Sequence, residues 1–431
     1  MAAPLRPLMI LRLLAGRGVF RVGVQLMAVA LLAIWGTATY GEYANAWGTC
    51  AWLVFLPTAA EKAALKILPR TRLTTVVLAG LTLRIAATPV VVLAVALAFA
   101  VVVAPSSTAT LYLASGTWSA CTGLLMTLSG LHRLRGRPAL DAAAFTVVAV
   151  AVAVVTTMTW LSGWSPHTHL LILVGAIAVV IGCSLSALPN EWLRAPKPDR
   201  PRLTRAFGRS TVLLGITELL DALTLSALFL VFALSGRMVD SGPFHLALLA
   251  AGVLCSLALY QLKLRQPSTS VSLRGVGGAT GRARAERLLR AAEFTGAGFA
   301  VALVAALLVP ATRQALLTGA DIPMTASGYV VLVVLAVVEI AMSILLIYAG
   351  YLVENTDSQV LSSTAAAAVI RLAATVACAL VLAPPLGAVG GFCALTLGLA
   401  AEAVALRRLL RRLHHEPRSA RASIFRSTSH K

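Results

Sequence analysis

The sequence predicts an all-α polytopic membrane protein of about twelve transmembrane helices, built as two six-helix bundles in parallel pseudo-repeat. Three observations predict this. The 431 residues are 59% apolar and only 12% charged, with a mean hydropathy of +0.87. Soluble domains run at about 45–50% apolar and about 25% charged, so a water-soluble fold this poor in charge could not cover its surface. The apolar residues fall in continuous stretches near the 20 residues a spanning helix needs. They do not alternate, which excludes an outer-membrane barrel. Finally, the basic residues segregate to one side of the implied membrane. A soluble enzyme, a disordered chain and a disulfide-rich secreted domain are excluded on the same grounds.

Twelve stretches qualify as spans: 19–39, 44–64, 83–103, 109–130, 141–161, 168–188, 211–234, 243–262, 289–309, 328–349, 361–382 and 386–406. In the second, Pro57 predicts a kink and Glu61 and Lys62 sit at its end. Ala104-Pro105-Ser106-Ser107 turns the chain between the third and fourth. Ala383-Pro384-Pro385 turns it between the last two. The first run follows Arg6, Arg12, Arg17 and Arg21. Tyr40-Gly41-Glu42-Tyr43 offers no small-residue cleavage site, so this run is expected to be an uncleaved span.

Lys and Arg fix the orientation. With the N-terminus inside, 32 of the 36 basic residues fall in inward segments and only Arg237 and Arg313 in outward ones. Both termini are therefore expected in the cytoplasm, and the chain in the cytoplasmic membrane. The net charge of +20 then reads as attraction to anionic lipid rather than to nucleic acid. The six cysteines lie within apolar stretches without CxxC spacing, so neither a metal site nor a disulfide framework is suggested. The histidines form no HExxH or carboxylate cluster. His132 is placed in an inner loop, and His167 and His169 beside an outer one. His245 is placed at the start of span eight, and His414, His415 and His430 in the tail. No cofactor is expected.

Two inward segments are long enough to carry structure. Residues 190–210 are basic and lie at the chain's midpoint. Residues 263–290 hold Gly275-Val276-Gly277-Gly278-Ala279-Thr280-Gly281, which lacks a GK[ST] ending and a preceding strand. It reads as a flexible linker followed by a basic amphipathic helix. The expected units are 1–189 and 211–406 as six-helix bundles, joined by the linker 190–210 and followed by a basic tail, 407–431.

The halves echo each other at an offset of 201. Gly41 matches Gly242, Tyr43 matches Phe244, and Lys62 matches Lys263 at the inner end of an even-numbered span. Six spans per half give parallel repeats about an axis along the membrane normal, a plan transporters use with the substrate path between halves.

Trp35-Gly36-Thr37-Ala38-Thr39-Tyr40-Gly41-Glu42-Tyr43 resembles the LG-x-x-x-YG-x-Y signature of bacterial polysaccharide flippases. These belong to the multidrug/oligosaccharidyl-lipid/polysaccharide exporter superfamily, which also holds the MATE exporters. Pro385-Leu386-Gly387-Ala388-Val389-Gly390-Gly391-Phe392 resembles that family's turn into its last helix, which here ends in Arg407, Arg408, Arg411 and Arg412. The resemblance implies two bundles in a V, alternating access, and an amphiphilic substrate such as a polyprenyl-pyrophosphate-linked saccharide. It also implies arginines that hold pyrophosphate, for which Arg84 and Arg371 are the candidates.

Ionisable side chains inside spans are costly and mark function. Glu218 and Asp221 share one face of span seven at i, i+3 and are expected to share a proton or bind a cation. Glu339 in span ten and Arg371 in span eleven are expected to pair across neighbouring helices. These four are the candidates for ion coupling or substrate-charge recognition, with a proton or sodium ion as the coupling ion. Arg84 is expected either to snorkel or to meet a lipid phosphate. A MATE-like exporter of small cations is the alternative function. A membrane enzyme would need catalytic groups in a sizeable outer loop, and the longest offers only Asp321 and Arg313.

Overall fold

The computed structural model describes residues 7–70, 74–194, 201–237, 241–273, 276–311, 314, 326–356 and 361–415. The expected sites at Gly275, Arg313, Asp321 and His430 lie outside the described residues, as does the end of the basic tail. The chain is a succession of long helices. The first six are α1 (Pro7–Cys50), α2 (Phe55–Ile67), α3 (Thr75–Val103), α4 (Thr108–Leu134), α5 (Pro138–Ser162) and α6 (Pro166–Ser186). The short α7 (Asn190–Leu193) precedes α8 (Pro201–Leu234), α9 (Ser241–Ser272), α10 (Val276–Leu308), α11 (Ala326–Thr356) and α12 (Leu361–His415).

Among the described residues, eight helical stretches are long and apolar enough to cross a membrane, and one of them, 362–412, is long enough for two passes. This is a multi-pass membrane protein. The expected spans that fall outside that set are the second, fourth and ninth. The fourth has a physical reason. α4 is buried along most of its length, including Ser115, Thr117, Thr122, Thr127 and Ser129. Its small polar face meets protein rather than lipid, and the hydroxyls of Thr117, Thr122 and Thr127 bond to carbonyls one turn back, Thr127 to Gly123 at 3.0 Å.

Two helices are bent double by glycine. α1 breaks at Gly36, with φ 71° and ψ 177°, and α12 at Gly387, with φ 55° and ψ −131°. Both lie in regions that side chains rarely enter. The last turn is therefore at Gly387, two residues beyond the expected Ala383-Pro384-Pro385. The turn at Ala104–Ser107 stands as expected, with the Ser107 hydroxyl capping α4 by accepting from the Thr110 amide at 3.2 Å.

The second span is interrupted rather than kinked. A 3-10 turn, Ala51–Val54, separates α1 from α2, and Pro57 sits in the first turn of the new helix. Proline cannot donate to a carbonyl four residues back and its ring would strike that group, so the helix restarts just before it. The irregular stretch lies against a glycine row on α4. A side chain at Gly123 would come within 2.3 Å of the Val54 carbonyl. Thr127 donates to the Pro57 carbonyl at 2.9 Å.

The glycine-rich segment is not a linker. α9 runs to Ser272 and α10 begins at Val276. Gly277 lies where a Cβ would be 2.2 Å from the Ser272 carbonyl, so these glycines permit a tight corner between helices. Likewise α8 begins at Pro201, which makes the second half of the basic 190–210 segment helical.

α1–α6 surround one large apolar core, and α8–α12 surround two smaller ones. Tyr43 is buried in the first core and its counterpart Phe244 in the second. The halves meet along a seam where α2 packs on α8 and α1 on α9.

Candidate functional site

A cavity of about 540 Å³ lies along the seam, lined by residues of both halves. Ten Lys, Arg, Asp and Glu side chains line it. The first half contributes Arg17, Arg21 and Lys62. The second contributes Glu218, Asp221, Glu339, Glu354 and Glu402 with Lys263 and Arg371. The walls are thus of opposite sign, basic on one side and predominantly acidic on the other.

At the end where α4 and α9 finish, ion pairs cross the seam. Lys62 stands between Glu218 at 3.1 Å and Glu354 at 3.2 Å, all three nearly buried. Lys66 donates to the Glu354 carbonyl, and Thr58 to Glu218 at 3.3 Å. Reciprocally, Lys263 reaches back to Glu61 at 2.8 Å, and Glu61 also holds Arg133 at 2.9 Å. The two lysines matched at an offset of 201 therefore each bind acids of the opposite half. Beside them, Asp141 accepts from Tyr260 of the other half at 2.6 Å and from Arg17 at 3.2 Å. The Arg17 guanidinium lies over the rings of Phe145 and Tyr260, at 4.4 and 4.0 Å from their centroids. Buried charges in a membrane protein persist when paired and hydrogen-bonded in this way.

A second cluster lies in the second half. One nitrogen of Arg371, Nη1, donates to Asp221 at 3.0 Å and Glu402 at 3.4 Å. Asp221 keeps 38% side-chain exposure, facing the cavity, while Glu402 keeps 11%. Glu339 accepts from Ser343 at 2.8 Å, and its Oε2 is buried with no partner.

The opposite end of the cavity is aromatic. Tyr43 stacks on Trp47 at 5.6 Å between centroids, and Trp47 meets Trp118 at 5.9 Å. His169 joins Trp35 and Tyr43 edge-on, and His245 lines the cavity across the seam. His132 is buried on α4 rather than in a loop, and its Nε2 bonds to the Ser184 carbonyl at 3.0 Å. Among the described residues no three His, Cys, Asp or Glu converge as metal ligands.

Several sequence expectations change here. Glu218, Asp221, Glu339 and Arg371 all line the cavity, but their pairing differs. Glu218 and Asp221 each meet a basic partner of their own, Lys62 and Arg371. Arg371 pairs with Asp221 and Glu402 rather than Glu339, because folding α12 back at Gly387 brings residue 402 alongside 371. Arg84 does not reach the cavity and is exposed on α3. Of the cavity's other basic residues, Arg17 and Arg21 read in sequence only as membrane-orienting charge, and Lys62 and Lys263 only as that and as a matched pair of the repeat. The i, i+4 spacing of Arg17 and Arg21 signalled that they share a helix face.

No family model and no curated protein sequence matches this chain. Solved structures do match in fold. A MOP superfamily transporter from Pyrococcus furiosus aligns at a TM-score of 0.56 and 13% identity, covering 94% of this chain and 95% of that one. A Vibrio cholerae MATE transporter aligns at 0.54 and 14%, covering 94% and 97%. An outward-facing multidrug resistance MATE family transporter of the MOP superfamily aligns at 0.57 and 13%, covering 94% and 95%. Over nearly its whole length, this chain has the fold of the MATE transporters.

Proposed function

We propose that this protein is an alternating-access transporter that moves an amphiphilic substrate across the cytoplasmic membrane, with both termini in the cytoplasm. The observation that carries the reading is the cavity between the two halves, bounded at one end by ion pairs that cross from half to half. Such polar contacts can part and rehydrate, whereas close-packed apolar contacts resist sliding. The orientation rests on the segregation of basic residues, which makes the ion-paired end the inner one. It also sets the exposed Arg135, Arg137 and Arg265 beside anionic lipid, the expected membrane partner.

The substrate favoured by the two sequence signatures is a polyprenyl-linked saccharide. The aromatic end suits sugar faces, and Arg21 is the basic group available to a phosphate; Arg371 is already shared by Asp221 and Glu402, and Arg84 is exposed on α3. Deleting the gene in its native host tests this. Surface glycan should fall while polyprenyl-linked precursors accumulate inside. Unchanged glycan and precursors overturn the saccharide assignment. A second reading, an ion-coupled exporter of small cations, draws on the acidic second half. There Asp221, Glu402 and Glu339 outnumber their single cation, Arg371, so the group can take up a proton or sodium ion. Proteoliposomes loaded with a fluorescent organic cation under a proton or sodium gradient test it. Gradient-independent efflux counts against it.

A further inference from the structure

Of the ten Lys, Arg, Asp and Glu side chains that line the cavity, eight are matched by an opposite charge within the protein. The remaining two are Arg21 and Glu339. They have opposite signs and stand on opposite halves.

Arg21 lies on α1. Among the described residues it has no carboxylate partner and no hydrogen bond, and a second cation, Arg17, stands one turn before it on the same helix. Arg17 itself has a buried Nη2 with no acceptor. Gln25, one turn further along the same face, also lines the cavity and has no hydrogen bond among the described residues. Positions 17, 21 and 25 thus set three side-chain donors in a row with unmet capacity. Glu339 lies on α11. It is 5% exposed, and its Oε2 has no donor.

Unmatched charge in a low-dielectric cavity is costly. A lone cation would satisfy Glu339 and leave Arg21 beside Arg17. A lone anion would do the reverse. One molecule carrying both charges satisfies both walls. The cavity volume lies in the range that encloses a small molecule or a lipid headgroup.

We propose that the cavity selects a zwitterion, with its carboxylate or phosphate against the donor row of Arg17, Arg21 and Gln25 and its ammonium against Glu339. This rests on the transporter reading of the same cavity and names the charge pattern of its substrate.

The test uses the purified full chain in detergent and isothermal titration calorimetry. The zwitterionic probes are ω-amino acids from glycine to 6-aminohexanoate, a ladder of charge separation, together with O-phosphoethanolamine. Hexanoate and inorganic phosphate are the anion-only probes, and hexylammonium and ethanolamine the cation-only ones. One zwitterion should bind about tenfold or more tighter than either single-charge analogue. Comparing the ω-amino acids with O-phosphoethanolamine separates carboxylate from phosphate as the anion. Arg21→Gln should reduce that zwitterion to the affinity of its cation-only analogue. Glu339→Gln should reduce it to that of the anion-only one. Neither variant should lower the melting temperature, because neither charge is paired with an opposite one among the described residues and glutamine at 339 can still accept from Ser343.

Cation-only probes that bind as tightly as zwitterions, insensitive to Arg21→Gln, overturn the proposal and leave a cation exporter. Zwitterion binding unchanged by Glu339→Gln overturns it too, as does the absence of binding by every charged probe. Proteoliposome counterflow of the bound zwitterion separates the two claims. Binding without exchange upholds the site and defeats the transporter reading.

Discussion

Lys62 is the sharpest place to perturb the seam. Its ammonium stands 3.1 Å from Glu218 and 3.2 Å from Glu354, and the three side chains are only 8–11% exposed. Lys62→Met leaves both carboxylates buried without their cation. Removing one partner of a buried ion pair costs about 3–5 kcal/mol. If the carboxylates hydrate when the halves part, that cost falls on the closed seam alone. The equilibrium should then move toward opening by about two to four orders of magnitude. Spin labels at Arg137→Cys and Ser268→Cys, both exposed at this end of the two halves, report the separation by double electron–electron resonance in an otherwise cysteine-free protein. Lys62→Met should shift the distances to longer values. The triple variant Lys62→Met, Glu218→Gln, Glu354→Gln removes all three charges and should return them toward the parent distribution. Unchanged distances in the single variant, or a triple variant no different from the single, would refute the reasoning.

Three further outcomes follow from particular contacts. Arg371→Lys should melt close to the parent and Arg371→Gln well below it, because a single nitrogen bridges Asp221 and Glu402; equal loss in both would contradict this. Gly123→Ala should destabilise by about 1–3 kcal/mol, since the new Cβ falls 2.3 Å from the Val54 backbone oxygen, and thermal unfolding monitored by size-exclusion chromatography measures it. His132 lies beyond the end of the fourth span, and burial holds its imidazole below the usual histidine range. Below about pH 6.5 the unfolded chain therefore binds a proton that the folded chain refuses, and stability falls as pH drops. His132→Gln should lessen the fall in melting temperature between pH 7.5 and 5.5.

The helical, multi-pass class was legible because lipid demands long apolar runs, and those runs are local. The two signatures were legible in a further sense. They flagged Gly36 and Gly387, the two residues at which helices fold back. The offset of 201 singled out Lys62 and Lys263 before their partners were known. The partners themselves were hidden. Glu61 and Glu354 stand near span ends, where acids commonly face water. Which face of α11 turns toward Arg371 depends on helix rotation, which hydropathy does not encode. Glu402 had a usable signal. It lies 15 residues after Gly387, as Arg371 lies 16 before it, so a hairpin centred there must set them side by side.

The glycine row on α4 has a mechanical consequence. Gly116, Gly123 and Gly130 recur every seven residues, and each meets a successive part of the interrupted span: Leu53, then Val54 and Pro57, then Glu61. Backbones this close cannot slip past one another by a fraction of a turn. The broken segment is therefore keyed to α4 like a tooth in a rack, and those two must travel as one piece. Motion between the halves then falls on their boundary, where water can replace the ion pairs, while Ala59 of α2 also lies close against Gly215 of α8.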